Sequence, residues 1–169
     1  MEKQRFKEQF FSQIYDQYIE KIYRFALFKT NSEVLSQDLT AETFSRLWAQ
    51  IVNDKDIKNP SAFLYTVVKN LITDHYRTKE RGAISLEEHN FDFEDKGKHL
   101  EEEMEIKDDV IKVKAALTSL DDNYRQVLSM YYIEQESIKD VAKSLKKSEG
   151  ATRVMLHRGL KKLKKHLED

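Results

Sequence analysis

A chain of 169 residues with 35% charged residues, four glycines and a single proline has room for one domain or two small ones and favours helices. It has no cysteine, which excludes disulfides and thiolate metal sites and suits a reducing interior. No apolar run approaches a membrane span, and the mixed charges from Met1 to Glu8 lack the order of a signal peptide, so a cytoplasmic protein is expected.

The formal net charge of −1 argues against a nonspecific nucleic-acid coat, but the charge is unevenly spread. Acidic residues dominate between Ala83 and Val110, and basic ones from Lys139 to Lys165.

Phe6, Phe10, Ile14, Tyr18, Ile22 and Ala26 step by four, and Phe11, Tyr15, Ile19 and Tyr23 widen the stripe. This predicts a long amphipathic helix ending near Thr30-Asn31-Ser32, with most of its rings in the core. A second helix is expected from about Ser32 to Ile51, with Leu35, Leu39, Leu47 and Ile51 inward. Its other side carries Asp38 and Glu42, like charges at i and i+4 that weaken an isolated helix. Phe44 and Trp48 form a neighbouring aromatic pair. Two readings stay open: a solvated acidic face beside core aromatics, or a docking surface for a basic or amphipathic partner helix with Trp48 as anchor.

A polar loop from Val52 to Asn59 follows. Asn59-Pro60 then starts a third helix, which runs through Phe63, Leu64, Val67, Val68, Leu71 and Ile72 to about Arg81, with Gly82 as its stop. Its outer side is expected to carry Tyr65, Lys69, Thr73, Tyr76, Arg77 and Lys79. Cations interleaved with rings suit single-stranded nucleic acid, whose bases stack while its phosphates meet the cations. A snorkelling surface is the alternative. Residues 83–109 look like an acidic linker, mobile or only partly helical, that includes Glu101-Glu102-Glu103.

Helical spacing resumes at Val110, Ile111, Val113, Ala116, Leu117 and Leu120. Asp121 or Asp122 is placed to cap a helix containing Val127, Leu128, Met130, Tyr131 and Ile133. Ser137-Ile138-Lys139-Asp140 fits a capping box, and Ile138, Val141, Ala142 and Leu145 make one apolar face. After the polar break Lys146-Lys147, Ser148 can cap a last helix, with Glu149 near its positive end. Two short helices about a tight turn outline a helix-turn-helix. In the last helix Thr152, Leu156, Leu160, Leu163 and Leu167 gather on one side. Val154, Arg158, Lys161 and Lys165 point away, flanked by His157, with Arg153 and Lys164 at the border. Arginine at the N-terminal end of that face suits base edges, and Val154 suits a thymine methyl.

The five histidines are scattered, and no nucleophile–base pair, phosphate loop or metal-ligand spacing occurs. Neither catalysis nor a cofactor is expected. The fold class is all-α: a helical bundle over residues 1–82, the linker over 83–109, and a helix-turn-helix unit over 110–169.

Two separated blocks carry a family resemblance. The run from Ser36 to Trp48 looks like a D-L-x-Q-E-x-F-x-x-L-W segment. Pro60-Ser61-Ala62-Phe63-Leu64-Tyr65 looks like P-x-x-W/F-L-Y, and the run from Lys69 to Arg77 like R-N-x-x-x-D-x-x-R. In the second block Leu120-Asp121, Tyr124-Arg125, Val141-Ala142, Ser148 to Val154 and Leu156 to Leu160 match. The chain resembles an RNA polymerase sigma factor of the small extracytoplasmic-function (ECF) group, which keeps sigma regions 2 and 4. It departs from that pattern at Ala41, where the family often has a glutamine contact with polymerase, and at Thr152 and Met155, which bear on promoter sequence rather than role.

The resemblance implies that the chain binds core RNA polymerase and directs transcription initiation at promoter DNA. Asp38, Glu42, Phe44 and Trp48 would dock on the polymerase clamp helices. The Val52–Asn59 loop would hold a flipped base of the −10 element, and Tyr65, Lys69, Asn70, Tyr76 and Arg77 would bind the exposed strand. Arg153, Val154, His157 and Arg158 would read the −35 element as duplex, with Lys161 and Lys165 on phosphates. An anti-sigma factor is a further partner implied by the resemblance. A self-sufficient helix-turn-helix regulator, whose N-terminal helices dimerise or sense a ligand, is the competing class. A helical adaptor binding only protein would leave the basic face unexplained.

Overall fold

The computed structural model describes residues 1–81 and 98–169, with residues 98–103 described by backbone alone. Gly82 and the first part of the expected linker, 83–97, lie outside the described residues. Among the described residues the regular structure is helical, and the chain divides into two compact units, Met1–Glu103 and Met104–Asp169.

In the first unit, helix α1 spans Glu2–Thr30 and ends at Asn31, whose left-handed backbone (φ 56°) lets its N–H reach the Leu27 carbonyl. Asparagine tolerates that conformation better than most residues with a side chain. Ser32 starts α2 (Glu33–Val52), its hydroxyl accepting the Leu35 N–H at 3.2 Å. Asn59 starts α3 (Pro60–Glu80) in the same way, accepting the Ala62 N–H at 3.0 Å. The three helices pack pairwise on one another. Ile22, Leu47, Leu64 and Val68 are wholly buried at their centre. Each such aliphatic side chain contributes about 1.5–3 kcal/mol.

Two packing details were not evident from periodicity. Phe6 is 68% exposed and stacks on Phe10 with ring centroids 6.4 Å apart. A row of residues four apart drifts by about 40° per step, so the start of the Phe6-to-Ala26 row has turned off the face that its end buries. Helix α2 buries Ser36, Thr40 and Thr43 as well as leucines. Each hydroxyl donates to the carbonyl four residues back, at 2.6, 2.6 and 2.7 Å, so none of these three is buried unpaired.

The second unit takes up most of α4 (Lys98–Thr118), which buries Val110, Ala116 and Leu117, and Leu120 is buried just beyond its end. Residues 98–109 of the expected linker are therefore helical. Glutamate is a good helix former, and negative charge favours a helix's first turns. Helix α5 (Asp122–Leu128) passes directly into a π-helical turn, Ser129–Ile133. Asp121 stands at the start of α5 without making a side-chain cap. Its carboxylate faces Lys162 Nζ at 3.5 Å, and that ammonium also lies 4.7 Å from the Tyr124 ring.

Helix α6 (Ile138–Leu145) and α7 (Glu149–Glu168) form the expected helix-turn-helix. Ser137 accepts the Asp140 N–H and Ser148 the Ala151 N–H, each at 3.1 Å. Lys146 makes the turn in the left-handed region, φ 54°. Helix α7 packs on α5 and α6. The contact with α5 is close: a methyl group at Gly159 would stand 3.1 Å from Tyr124 Cδ1 and 3.3 Å from Leu128 Cδ1.

Candidate nucleic-acid interface

Helix α7 separates its faces as far as Leu163, after which every residue is exposed, Leu167 of the expected inner row included. Thr152, Leu156 and Gly159 are buried, and the Thr152 hydroxyl donates to the Ser148 carbonyl at 2.9 Å. Thr152 thus belongs to the core contact rather than to any base-reading set. At about 100° per residue, Arg153, Lys164, His157, Lys161, Val154, Lys165 and Arg158 follow one another through an arc of about 140°, and all are exposed. Val154 is 48% exposed, an apolar side chain set among cations. Arg153 Nη2 lies 3.3 Å from Glu149 Oε2 one turn earlier, with both side chains more than half exposed. Such a pair contributes little and yields readily to a better acceptor.

Helix α3 presents a smaller polar arc. Lys69, Thr73, Arg77 and Asn70 lie within about 100° of one another. Asn70, Thr73 and Arg77 are exposed and Lys69 is half-buried. Asp74 Oδ1 is 3.9 Å from Arg77 Nη1, and Tyr76, 36% exposed, sits edge-on to His75 at 5.4 Å. Tyr65 is not on this outer side as expected. It is 9% exposed and meets the Phe25 ring edge-on at 5.4 Å. Burial, and then the neighbouring Tyr18, push its hydroxyl above the usual tyrosine range. Its spacing to Ile72 is seven residues, which brings the two within about 20° on the helix; the ring belongs to the inner stripe and cannot stack on a base.

On α2, Asp38 and Glu42 are exposed, and Glu42 Oε1 accepts from Arg46 Nε at 2.7 Å. Phe44 is core: 3% exposed, with Tyr15 at 5.0 Å and Phe11 at 6.4 Å. It cannot reach a partner without unpacking the bundle. Trp48 is half-buried and edge-on to Phe11 at 5.3 Å. Of the four expected docking residues, Asp38 and Glu42 are exposed one turn apart, Trp48 is half-buried, and Phe44 is core.

The loop between α2 and α3 holds a group that sequence reasoning did not single out. Asp54, at φ 56°, is gripped by Lys7 Nζ at 2.8 Å and Lys3 Nζ at 3.0 Å. Lys7 Nζ also donates to the Val52 carbonyl at 2.7 Å, at the end of α2. These hydrogen bonds, Lys7 first, hold the Asp54 carboxyl below the ordinary aspartate range. Lys3 stands 51 residues before Asp54 and Lys7 stands 45 before Val52, so no local pattern announces these contacts.

Among the described residues, no cluster of His, Asp or Glu is placed to hold a metal ion, and no helix is long and apolar enough to cross a membrane.

Comparison with known proteins follows the same two-part division. Residues 14–82 match the family model Sigma-70 region 2, and residues 111–163 match Sigma-70, region 4. The ECF RNA polymerase sigma factor SigM of Bacillus subtilis is 29% identical over 153 residues, covering 90% of this chain and 91% of SigM. SigX of the same organism is 26% identical over 166 residues, covering 95% of this chain and 85% of SigX. A solved Bartonella quintana sigma factor, RpoE in complex with the anti-sigma factor NepR, is 17% identical over 94% of this chain and 96% of that chain, with a TM-score of 0.47. Both regions occur in order along one helical chain that also aligns with ECF factors over nearly its full length, and so this chain belongs to the sigma-70 family, as an ECF-type RNA polymerase sigma factor directing promoter-specific transcription initiation.

Proposed function

We propose that the chain works by delivery, without catalysis of its own, in the cytoplasm. The acidic surface of α2, with Asp38, Glu42 and the exposed part of Trp48, docks on the clamp helices of core RNA polymerase. The loop from Val52 to Asn59 takes a flipped base of the −10 element, and Lys69, Asn70, Tyr76 and Arg77 hold the exposed strand. Helix α7 enters the major groove of the −35 element, where Arg153, Val154, His157 and Arg158 face base edges and Lys161 and Lys165 meet phosphates. Tyr65 and Phe44 act from inside the bundle, keeping α2 and α3 in register. An anti-sigma protein is a further partner expected from family membership.

The observation that carries this reading is the basic arc of α7, interrupted by Val154 alone and exposed along its length, while the opposite side packs on α5 and α6. A net charge of −1 spread over two units leaves little unspecific attraction to duplex DNA. The isolated protein should therefore bind promoter fragments weakly, and addition of core polymerase should yield specific, start-site-directed transcripts. Tight, sequence-specific binding with polymerase absent would instead establish a self-sufficient regulator.

A further inference from the structure

The first turns of α1 precede the stretch that matches the region 2 family model, which begins at residue 14. They are nevertheless tied into the candidate base-capture loop. Lys7 closes the C-terminal end of α2 through the Val52 carbonyl, where a cation is favoured by the helix dipole, and bonds Asp54 in the next turn. Lys3 holds the other carboxylate oxygen of Asp54. Lys7 is committed to this geometry, its side chain only 14% exposed, whereas Lys3 at 75% remains in water. Asp54 is also the residue at which the chain reverses, its left-handed backbone bonding N–H to the Ile51 carbonyl, with Lys55 N–H on the Gln50 carbonyl. The clasp thus fixes the point from which the rest of the loop departs toward Asn59.

We propose that Lys7, assisted by Lys3, is a positioning residue for base capture: its grip on Asp54 and the end of α2 pre-forms the loop that accommodates the flipped base. A loop ordered before binding loses less conformational freedom when the base arrives, so the anchor strengthens capture and sharpens the choice of base. The inference rests on the proposed role of the Val52–Asn59 loop in the −10 contact. It differs from direct phosphate binding by the two lysines, because Asp54 occupies them.

The test uses holoenzyme reconstituted from the full chain and core RNA polymerase, on partly melted templates randomised at each −10 position. Lys7→Met and Asp54→Asn should each reduce selectivity at the same single position by about three- to tenfold, with the double variant no worse than either alone. Selectivity at the −35 element and core binding should stay unchanged. Lys3→Met should give a smaller loss of the same kind; it also serves as the second variant if Lys7→Met lowers the melting temperature of the first unit. Phosphate contact would overturn the proposal, and it has a distinct signature: Lys7→Met weakens every template equally while Asp54→Asn strengthens binding. Unchanged selectivity in all three variants would overturn it as well. Replacing Ile57 separates the two levels of failure. If Ile57→Ala alters −10 selectivity and the clasp variants do not, the loop reading stands and the anchor fails. If neither alters it, the loop is not the capture site.

Discussion

Helices α3 and α7 pose the same question, which side chains face nucleic acid, and answer it with unequal clarity. On α7 the exposed arc is basic from Arg153 to Lys165, and the buried positions are Thr152, Leu156 and Gly159. On α3 cations and rings alternate, and one of the rings, Tyr65, proves to be core. Charge tells orientation because burying an unpaired ammonium or guanidinium costs far more than a helix contact returns. An aromatic ring with one polar atom is stable on either side of that boundary. The lesson is that basic arcs can be read as surfaces from sequence, whereas aromatic members of a binding face need packing information.

The sharpest way to break this comparison is at the two tyrosines. Tyr65→Ala should cost the first unit about 3–5 kcal/mol by emptying a core site, seen as a lower melting midpoint. Tyr76→Ala should leave stability within about 0.5 kcal/mol and weaken capture of −10 single strand by about 1–3 kcal/mol. If Tyr65→Ala instead melts normally and loses only strand binding, its assignment to the core is wrong.

A comparable effect is expected on α2. Asp38→Lys with Glu42→Lys should lower affinity for core polymerase by more than about tenfold, with the helical circular dichroism unchanged, since both side chains are exposed. Unaltered assembly would remove this face from the mechanism. On α7, Arg153→Ala should weaken binding to the cognate −35 element by about 1–3 kcal/mol and relax base preference at one position. Lys165→Ala should weaken binding to all sequences alike and flatten the salt dependence by about one phosphate contact. Equal behaviour of the two variants would merge base-reading and phosphate roles along the arc.

The smallest effect concerns the turn between α6 and α7. Lys146→Gly should stabilise the second unit by about 0.5–1 kcal/mol, because glycine adopts the left-handed backbone freely. Urea unfolding should register the gain; a loss would mean that the lysine side chain contributes more than its backbone strain costs.

Much of the architecture was legible because it is written locally. Ser32, Asn59, Ser137 and Ser148 all start helices, and each binds the backbone N–H three residues on. The helix-turn-helix and the outward direction of Val154 followed from the same short-range rules. What escaped was non-local or ambiguous. The four-residue stripe of α1 includes Phe6, which the drift of that spacing turns off the buried face. Phe44 pairs with Trp48 at helical spacing and is expected to dock with it, yet Phe11 and Tyr15 of α1 enclose it. The helix at Lys98 was obscured by acidic residues that resemble a linker. The π-helical turn at Ser129–Ile133 has no signature in the residues themselves. The Lys7–Asp54 clasp joins chain segments whose proximity only the folded bundle creates.

Gly159 lies on the side of α7 opposite its basic arc, yet it governs how that arc is presented. With no side chain between them there, the reading helix and the helix beneath it touch almost backbone to ring. The tilt of the arginines is thereby set by a contact too close to admit one methyl. A gain of carbon at that spot would act like a shim under a key, lifting the teeth from the lock without altering any of them.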